Sequence, residues 1–185
     1  TFRCPQVVCD VSSEFVQANP AQIRKVVRTT NSYDKTPLLA YGFAEPEEAS
    51  GHIAEQLAQM HHLVKAGRLK PSRGEWVRVL LLGRYRSDEP QSLGRWQARF
   101  GDHLKIDFRT VHRSKGLEAE YVMILNVIEG QRGFPSQIED DPVLQLAMPT
   151  PDPYAMAEER RLFYVALTRA SRQVRLYTSL ARPSR

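Results

Sequence analysis

The sequence predicts an α/β fold with a mainly parallel sheet covered by helices, and three observations lead there. Short apolar runs alternate with helical, amphipathic stretches along the chain, the pattern of strands joined by helical crossovers. One run, Trp-Val-Arg-Val-Leu-Leu-Leu at residues 76–82, is apolar except for Arg78, as in a strand covered on both faces. The 185 residues, 42% hydrophobic and 25% charged, make one globular domain large enough to bury a core.

The elements follow in order. Pro5 suits a first helical position, and Val7, Val8, Val11 and Phe15 make an apolar stripe that stops before Asn19-Pro20. Residues 23–27 read as a short strand, 31–34 as a polar turn and 38–43 as a second strand. Pro46, Glu47 and Glu48 open a helix whose inner face is Ala49, Ile53, Leu57, Met60 and Val64, with Gly67 at its end. A basic loop at 70–75 leads into the strand at 76–82. Residues 83–87, Gly-Arg-Tyr-Arg-Ser, form a loop at its carboxyl end, and 91–100 form a short helix. Further strands are predicted at 104–110, 121–127 and 173–178, with an irregular surface excursion at 128–156, rich in Pro, Asp and Gly. In parallel sheets ligands collect beyond the carboxyl ends of the strands, and the motifs below are expected there.

Net charge is +5, which fits an anionic partner without choosing among nucleic acid, a phosphorylated ligand and an acidic protein. No signal peptide, bilayer-length apolar run or repeat is present. The two cysteines, Cys4 and Cys9, would point about 140° apart on one helix and could not bridge. They read as packing residues of a reducing compartment, with a cytoplasmic location expected, and no metal ligands are assigned.

Two stretches carry chemistry. Residues 158–170 read Glu-Glu-Arg-Arg-Leu-Phe-Tyr-Val-Ala-Leu-Thr-Arg-Ala, with acids first and a base last, as a helix macrodipole favours. Leu162, Val165, Ala166 and Arg169 share one face. Arg169 is then either an arginine whose stem packs while its head satisfies the last carbonyls, or a cation aimed at an anion beyond the domain. Residues 110–118 read Thr-Val-His-Arg-Ser-Lys-Gly-Leu-Glu. Gly116 lets backbone approach an anion closely, yet the Gly-x-x-x-x-Gly-Lys-Ser/Thr phosphate loop occurs nowhere in the chain. By themselves, His112 reads as a structural histidine and Lys115 as a solvated charge.

The run at 158–170 resembles the last conserved motif of superfamily 1 DNA helicases of the UvrD/Rep type. Residues 110–118 resemble the Thr-x-His-x-x-Lys-Gly-Leu-Glu motif of that family. Thr1-Phe2-Arg3-Cys4 resembles its Asn-Tyr-Arg-Ser, and Glu129-Gly130 with Phe134-Pro135 its Glu-Gly-x-x-Pro turn, with an insertion around 131–133. Between 87 and 109 the chain is too short for the extra domain that some members insert.

The resemblance implies a RecA-like fold of the P-loop NTPase type that lacks its own phosphate loop. Residues 1–185 would be the second, C-terminal motor domain of an ATP-dependent DNA helicase, a fragment of a longer protein. It further implies Arg3 and Arg169 as arginine fingers on ATP, Phe2 stacked on the base, Glu118 near the ribose and Gly116 beside the nucleotide. Thr110 and His112 would face single-stranded DNA, and Arg84 and Arg86 lie in a loop that touches the DNA backbone in the family. A basic surface loop is the alternative for those two arginines. The first RecA-like domain of the same polypeptide would hold Mg2+ and the phosphate loop, so the fragment alone is expected to be inactive. Phe2 in place of tyrosine keeps stacking but loses a hydroxyl, and Cys4 in place of serine removes a helix cap. The other functional reading is a nucleic-acid-binding or docking module that keeps this fold and drives no ATPase.

Overall fold

The computed structural model describes residues 4–24, 26–31, 33, 35–137, 154 and 156–184. Among them, strands β1 (Leu38–Phe43), β2 (Val77–Gly83), β3 (Leu104–Thr110), β4 (Ala119–Ile124) and β5 (Ala170–Ser179) form one sheet in the order β1-β5-β4-β2-β3. Every pairing is parallel. The register of β2 on β3 runs from Val77 opposite Leu104 to Gly83 opposite Thr110, so their carboxyl ends are level.

Side chains alternate between the faces of a strand, and here both faces are apolar. Val77, Val79 and Leu81 of β2 and Tyr121 and Met123 of β4 join one buried cluster with Ile53, Leu57 and Met60 of α2 (Pro46–Lys65) and Leu93, Trp96 and Phe100 of α3 (Leu93–Phe100). Leu80, Leu82, Val122 and Ile124 join the opposite cluster with Val8 and Cys9 of α1 (Gln6–Gln17) and Ala166 and Leu167 of α4 (Ala157–Leu167). The predicted α/β class, with helices on both faces, is the observed one. At the start of α2 the Glu48 carboxylate accepts hydrogen bonds from the backbone N–H groups of Ala44 (3.1 Å) and Glu45 (3.4 Å), which closes that end.

Several local expectations change. Of the strand expected at 23–27, the described residues 23, 24, 26 and 27 are not in a strand, and Val26 is 90% exposed. This segment is instead tied to α1 through Gln6, whose Nε2 donates to the Val27 carbonyl (3.0 Å) while its Oε1 accepts from Thr29 N–H (3.1 Å). In α1 the inward face is Val8, Cys9, Ser12 and Val16, whereas Val7 and Val11 are exposed. Valines on adjacent positions fit two stripes, and docking against α4 selects one. In α4 the buried residues are Ala157, Glu159, Ala166 and Leu167, with Leu162 and Val165 only half-covered. That helix is turned so that the Glu159 carboxylate points inward, where it meets Arg84. Of the predicted excursion at 128–156, residues 129–137 are irregular but anchored by the buried Phe134, and 138–153 and 155 lie outside the described residues.

The cysteines are unbridged packing residues, as expected, but they do not point apart. Their sulfurs lie 3.2 Å apart, both thiols are free, and both are buried. Cys4 precedes Pro5 and the helix, so helical angles do not apply to it, and the chain folds it back over Cys9. Burial first, and the neighbouring Cys4 second, push the Cys9 thiol from an ordinary 9.0 up to about 12.

Glu120 is fully buried in β4 and organises the amino edge of the sheet. It accepts from Ser72 N–H (2.8 Å), Arg78 N–H (3.0 Å) and Arg78 Nε (3.3 Å), pinning the basic loop to the start of β2. Glu120→Ala leaves two part-buried N–H groups and a half-buried cation without their acceptor, and should lower unfolding free energy by on the order of 2–3 kcal/mol in urea titration. For Cys9 the folded state holds the proton that the unfolded chain releases first. Its contribution is therefore complete below pH 9.0 and lost as pH rises toward about 12. Stability curves should fall across that window, and Cys9→Ala should flatten the fall.

Candidate functional site

The residues singled out by sequence sort onto two opposite edges of the sheet. At the carboxyl edge, β2 runs out through Gly83 into Arg84, Tyr85 and a 3-10 turn at Arg86–Asp88. A Cβ on Gly83 would lie 2.4 Å from the Asp88 Cβ, so only glycine lets this turn fold back so tightly. Asp88 Oδ2 accepts from Tyr85 N–H and Oδ1 from Asn126 Nδ2, each at 2.8 Å. Neither Asp88 nor Asn126 figured in the sequence reading, although Asp after a strand is a common turn former.

Arg84 does not reach outward. Its Nε and Nη2 donate to Glu159 Oε1 at 2.9 and 2.7 Å, with Nε also 3.1 Å from Oε2. The two side chains are only 19% and 11% exposed. Burial alone would lower the Arg84 pKa, but the hydrogen bonds and charge of Glu159 outweigh it and the net shift is upward. Glu159 Oε2 also accepts from Ser136 N–H (2.9 Å), and the Ser136 hydroxyl bonds Tyr85 Oη. This pairing turns Glu159 of α4 inward. Arg86 is exposed on the same loop.

Beside it, β3 ends at Thr110, and Val111 N–H donates to the Gly83 carbonyl (2.9 Å). His112 opens a 3-10 turn, His112–Ser114, and is exposed, with Thr110 half-buried. Arg84, Arg86, Thr110 and His112 thus share the carboxyl edge.

Gly116, Glu118 and Arg169 lie on the other edge, a correction to the expectation that all motifs sit beyond the carboxyl ends. The reason is topological. Residues 111–118 carry the chain from the end of β3 to the start of β4, and parallel pairing requires that start to be at the amino edge. Arg169 likewise directly precedes β5. Seven-residue strands put the two edges roughly 20 Å apart.

At the amino edge Arg169 joins the two motifs. Its Nε donates to the Val165 carbonyl (2.9 Å) and its Nη1 to the Leu117 carbonyl (3.3 Å), while Ala119 N–H donates to the Arg169 carbonyl (3.1 Å). The head of Arg169 therefore does cap the last turn of α4, and it does so next to Gly116 and Glu118. Gly116 has φ +87° with open space where a Cβ would point, so its backbone is accessible. Glu118 Oε1 is 3.2 Å from Arg73 Nη1 and 3.9 Å from Arg78 Nη2. Phe2 and Arg3 lie outside the described residues. Cys4, which follows them, belongs to the buried cluster containing Ala119, Ala166 and Ala170.

Two arrangements are therefore present: a basic, exposed rim at one edge, and a cation, an open glycine and a carboxylate at the other. Residues 110–118 and helix α4 both run between them. Among the described residues, no helix is long and apolar enough to cross a membrane.

A family model for the UvrD-like helicase C-terminal domain matches residues 89–182. The chain is 33% identical over 174 residues to DNA helicase IV of Escherichia coli (strain K12), which covers 94% of this chain but 23% of that protein. Among solved structures it is similar to the C-terminal domain of a possible DNA helicase from Lactobacillus plantarum WCFS1. That likeness has a TM-score of 0.53 and 15% identity over 97% of this chain and 88% of the other, and it bears on the fold.

The Arg84–Glu159 pair yields a measurable expectation. Arg84→Ala and Glu159→Ala should each cost about 3–5 kcal/mol, because each leaves a buried charge uncompensated. The double variant should lose far less than the sum. Arg84→Lys should recover little, since an ammonium cannot reproduce the two-pronged contact. Chemical denaturation of the four proteins measures the coupling.

Proposed function

The chain belongs to the UvrD-like helicase C-terminal domain family, and from that premise we propose that it is the second motor domain of an ATP-dependent DNA helicase. It would close on ATP with its amino edge and grip single-stranded DNA with its carboxyl edge. The observation that supports this reading most is the sorting of nucleotide-type and DNA-type residues onto opposite edges, joined by residues 110–118 and by α4. The chain spans 23% of the length of DNA helicase IV, and the rest of such a protein would include the first RecA-like domain.

Arg169, Gly116 and Glu118 fit a polyphosphate nucleotide chemically: a permanent cation for phosphate oxygens, accessible backbone, and a carboxylate for ribose hydroxyls. Bound ATP supplies the phosphoryl group. Mg2+ and the phosphate loop would come from the first domain, because this chain contains no Gly-x-x-x-x-Gly-Lys-Ser/Thr. Arg169 is already presented at a helix end, and its planar fork suits the charge that develops on equatorial phosphate oxygens. Arg3 is the second proposed finger and Phe2 the base platform. At the other edge Arg86, Thr110 and His112 would contact the strand. Arg84, held by Glu159, would set the loop's shape rather than compete for phosphate. Domain closure at the nucleotide would then move the DNA edge as a rigid body, because α4 is fastened at both ends.

In the full-length protein, Arg169→Ala should reduce DNA-stimulated ATP hydrolysis by roughly 10³ to 10⁵, the range for loss of an arginine finger. Arg169→Lys should not restore it. Nucleotide and DNA binding should persist, and the melting temperature should fall by no more than the loss of two hydrogen bonds at the end of α4 implies. If unfolding at the assay temperature instead accounts for the lost activity, Arg169 only caps α4 and the assignment fails. The 185-residue chain alone should show no ATP turnover.

A further inference from the structure

At the β3 end of the amino edge, away from Arg169 and Gly116, one cluster of metal-ligating side chains stands apart. His61 sits in the last turns of α2, and Asp102 and His103 form the turn between α3 and β3. We propose that these three residues form a binding site for a borderline dication of the zinc class, which fastens α2 to the α3–β3 turn.

The donor atoms are already close together. His61 Nε2 and Asp102 Oδ1 share a hydrogen bond of 2.8 Å, which an ion would replace, and His103 Nε2 is 3.7 Å from Asp102 Oδ2. One donor atom from each of the three lies within 4.8 Å of the others. Tetrahedral zinc with bonds of about 2.0–2.1 Å sets its ligands roughly 3.3 Å apart, a value the two measured separations straddle. The scaffold is fixed: His103 N–H donates to the Phe100 carbonyl and its own carbonyl accepts from Val77 N–H, each at 3.2 Å. The His61 ring packs against Phe100 and His103, with centroids 5.5 and 5.1 Å away.

A simple surface ion pair explains less. One imidazolium suffices to pair with one carboxylate, and two charged imidazoles facing each other would repel. The set offers two imidazole nitrogens and one carboxylate within 4.8 Å of one another, which a dication turns into mutual attraction. Mixed imidazole and carboxylate donors suit zinc-class ions, whereas Mg2+ and Ca2+ prefer oxygen ligands throughout. Asp102 is 62% exposed, so an ion can enter and water can complete its coordination. The ligands are 41 positions apart in sequence between His61 and Asp102, which is why no spacing motif announces them.

The test uses the 185-residue chain stripped by a chelator and titrated with Zn2+ in a calorimeter, with thermal unfolding in parallel. Saturable binding of one ion per chain is expected, with a rise in melting temperature of about 5–10 °C at a hundredfold excess over the dissociation constant. His61→Ala and His103→Ala should each weaken binding by about 10- to 100-fold or more, while their metal-free melting temperatures stay near the parent's. Co2+ in place of Zn2+ should give a visible spectrum without thiolate charge transfer, which separates this site from Cys4 and Cys9. Absence of saturable binding, affinity unchanged in the two variants, or a thiolate band would overturn the proposal.

Discussion

The Arg84–Glu159 ion pair is the contact on which the functional geometry depends. It joins the loop that leaves β2 to the first turn of α4 and, through Ser136, to the irregular segment after β4. A carboxylate in that position is costly to bury unless a cation meets it with two hydrogen bonds, and Arg84 does. The consequence reaches along the helix. With Glu159 turned inward, Leu162 and Val165 are left half-covered, and Ala166 and Leu167 take the buried positions. The rotation that places Glu159 also decides where Arg169 emerges, ten residues on.

The other end of α4 is fixed by different means. Arg169 bonds the Val165 and Leu117 carbonyls, and its own carbonyl accepts from Ala119. Helix and 110–118 connection therefore meet at the amino edge of the sheet, having started together at the carboxyl edge. Two connections clamped at both ends leave little freedom for one edge to shift without the other. The proposed motor role, in which a nucleotide and a strand are bound roughly 20 Å apart, would require this mechanical property. It arises from parallel topology, which obliges each connection to cross the full height of the sheet.

Much of this was legible in sequence. Alternating apolar runs and amphipathic stretches gave the α/β class, and both faces of the sheet are as apolar as the 76–82 run implied. The motif residues Arg169, Gly116 and Glu118 come together, and so do Arg86, Thr110 and His112. The strand expected at 23–27 failed because β-type composition has no force without a ladder, and Gln6 holds that segment instead. Cys4 and Cys9 are buried and unbridged as expected, but they face each other because Cys4 lies outside a helix that begins after Pro5.

The sequence by itself determined the class of fold, the motif residues and the order in which they occur, since periodicity, turn chemistry and motif spelling are local properties. Only the tertiary structure decided which edge each motif occupies, that Arg84 faces Glu159 rather than solvent, and that His61 meets Asp102 and His103. Each of these depends on residues far apart in the chain being brought together by strand order and helix rotation. Those are set by how the whole core packs, and no local pattern contains them.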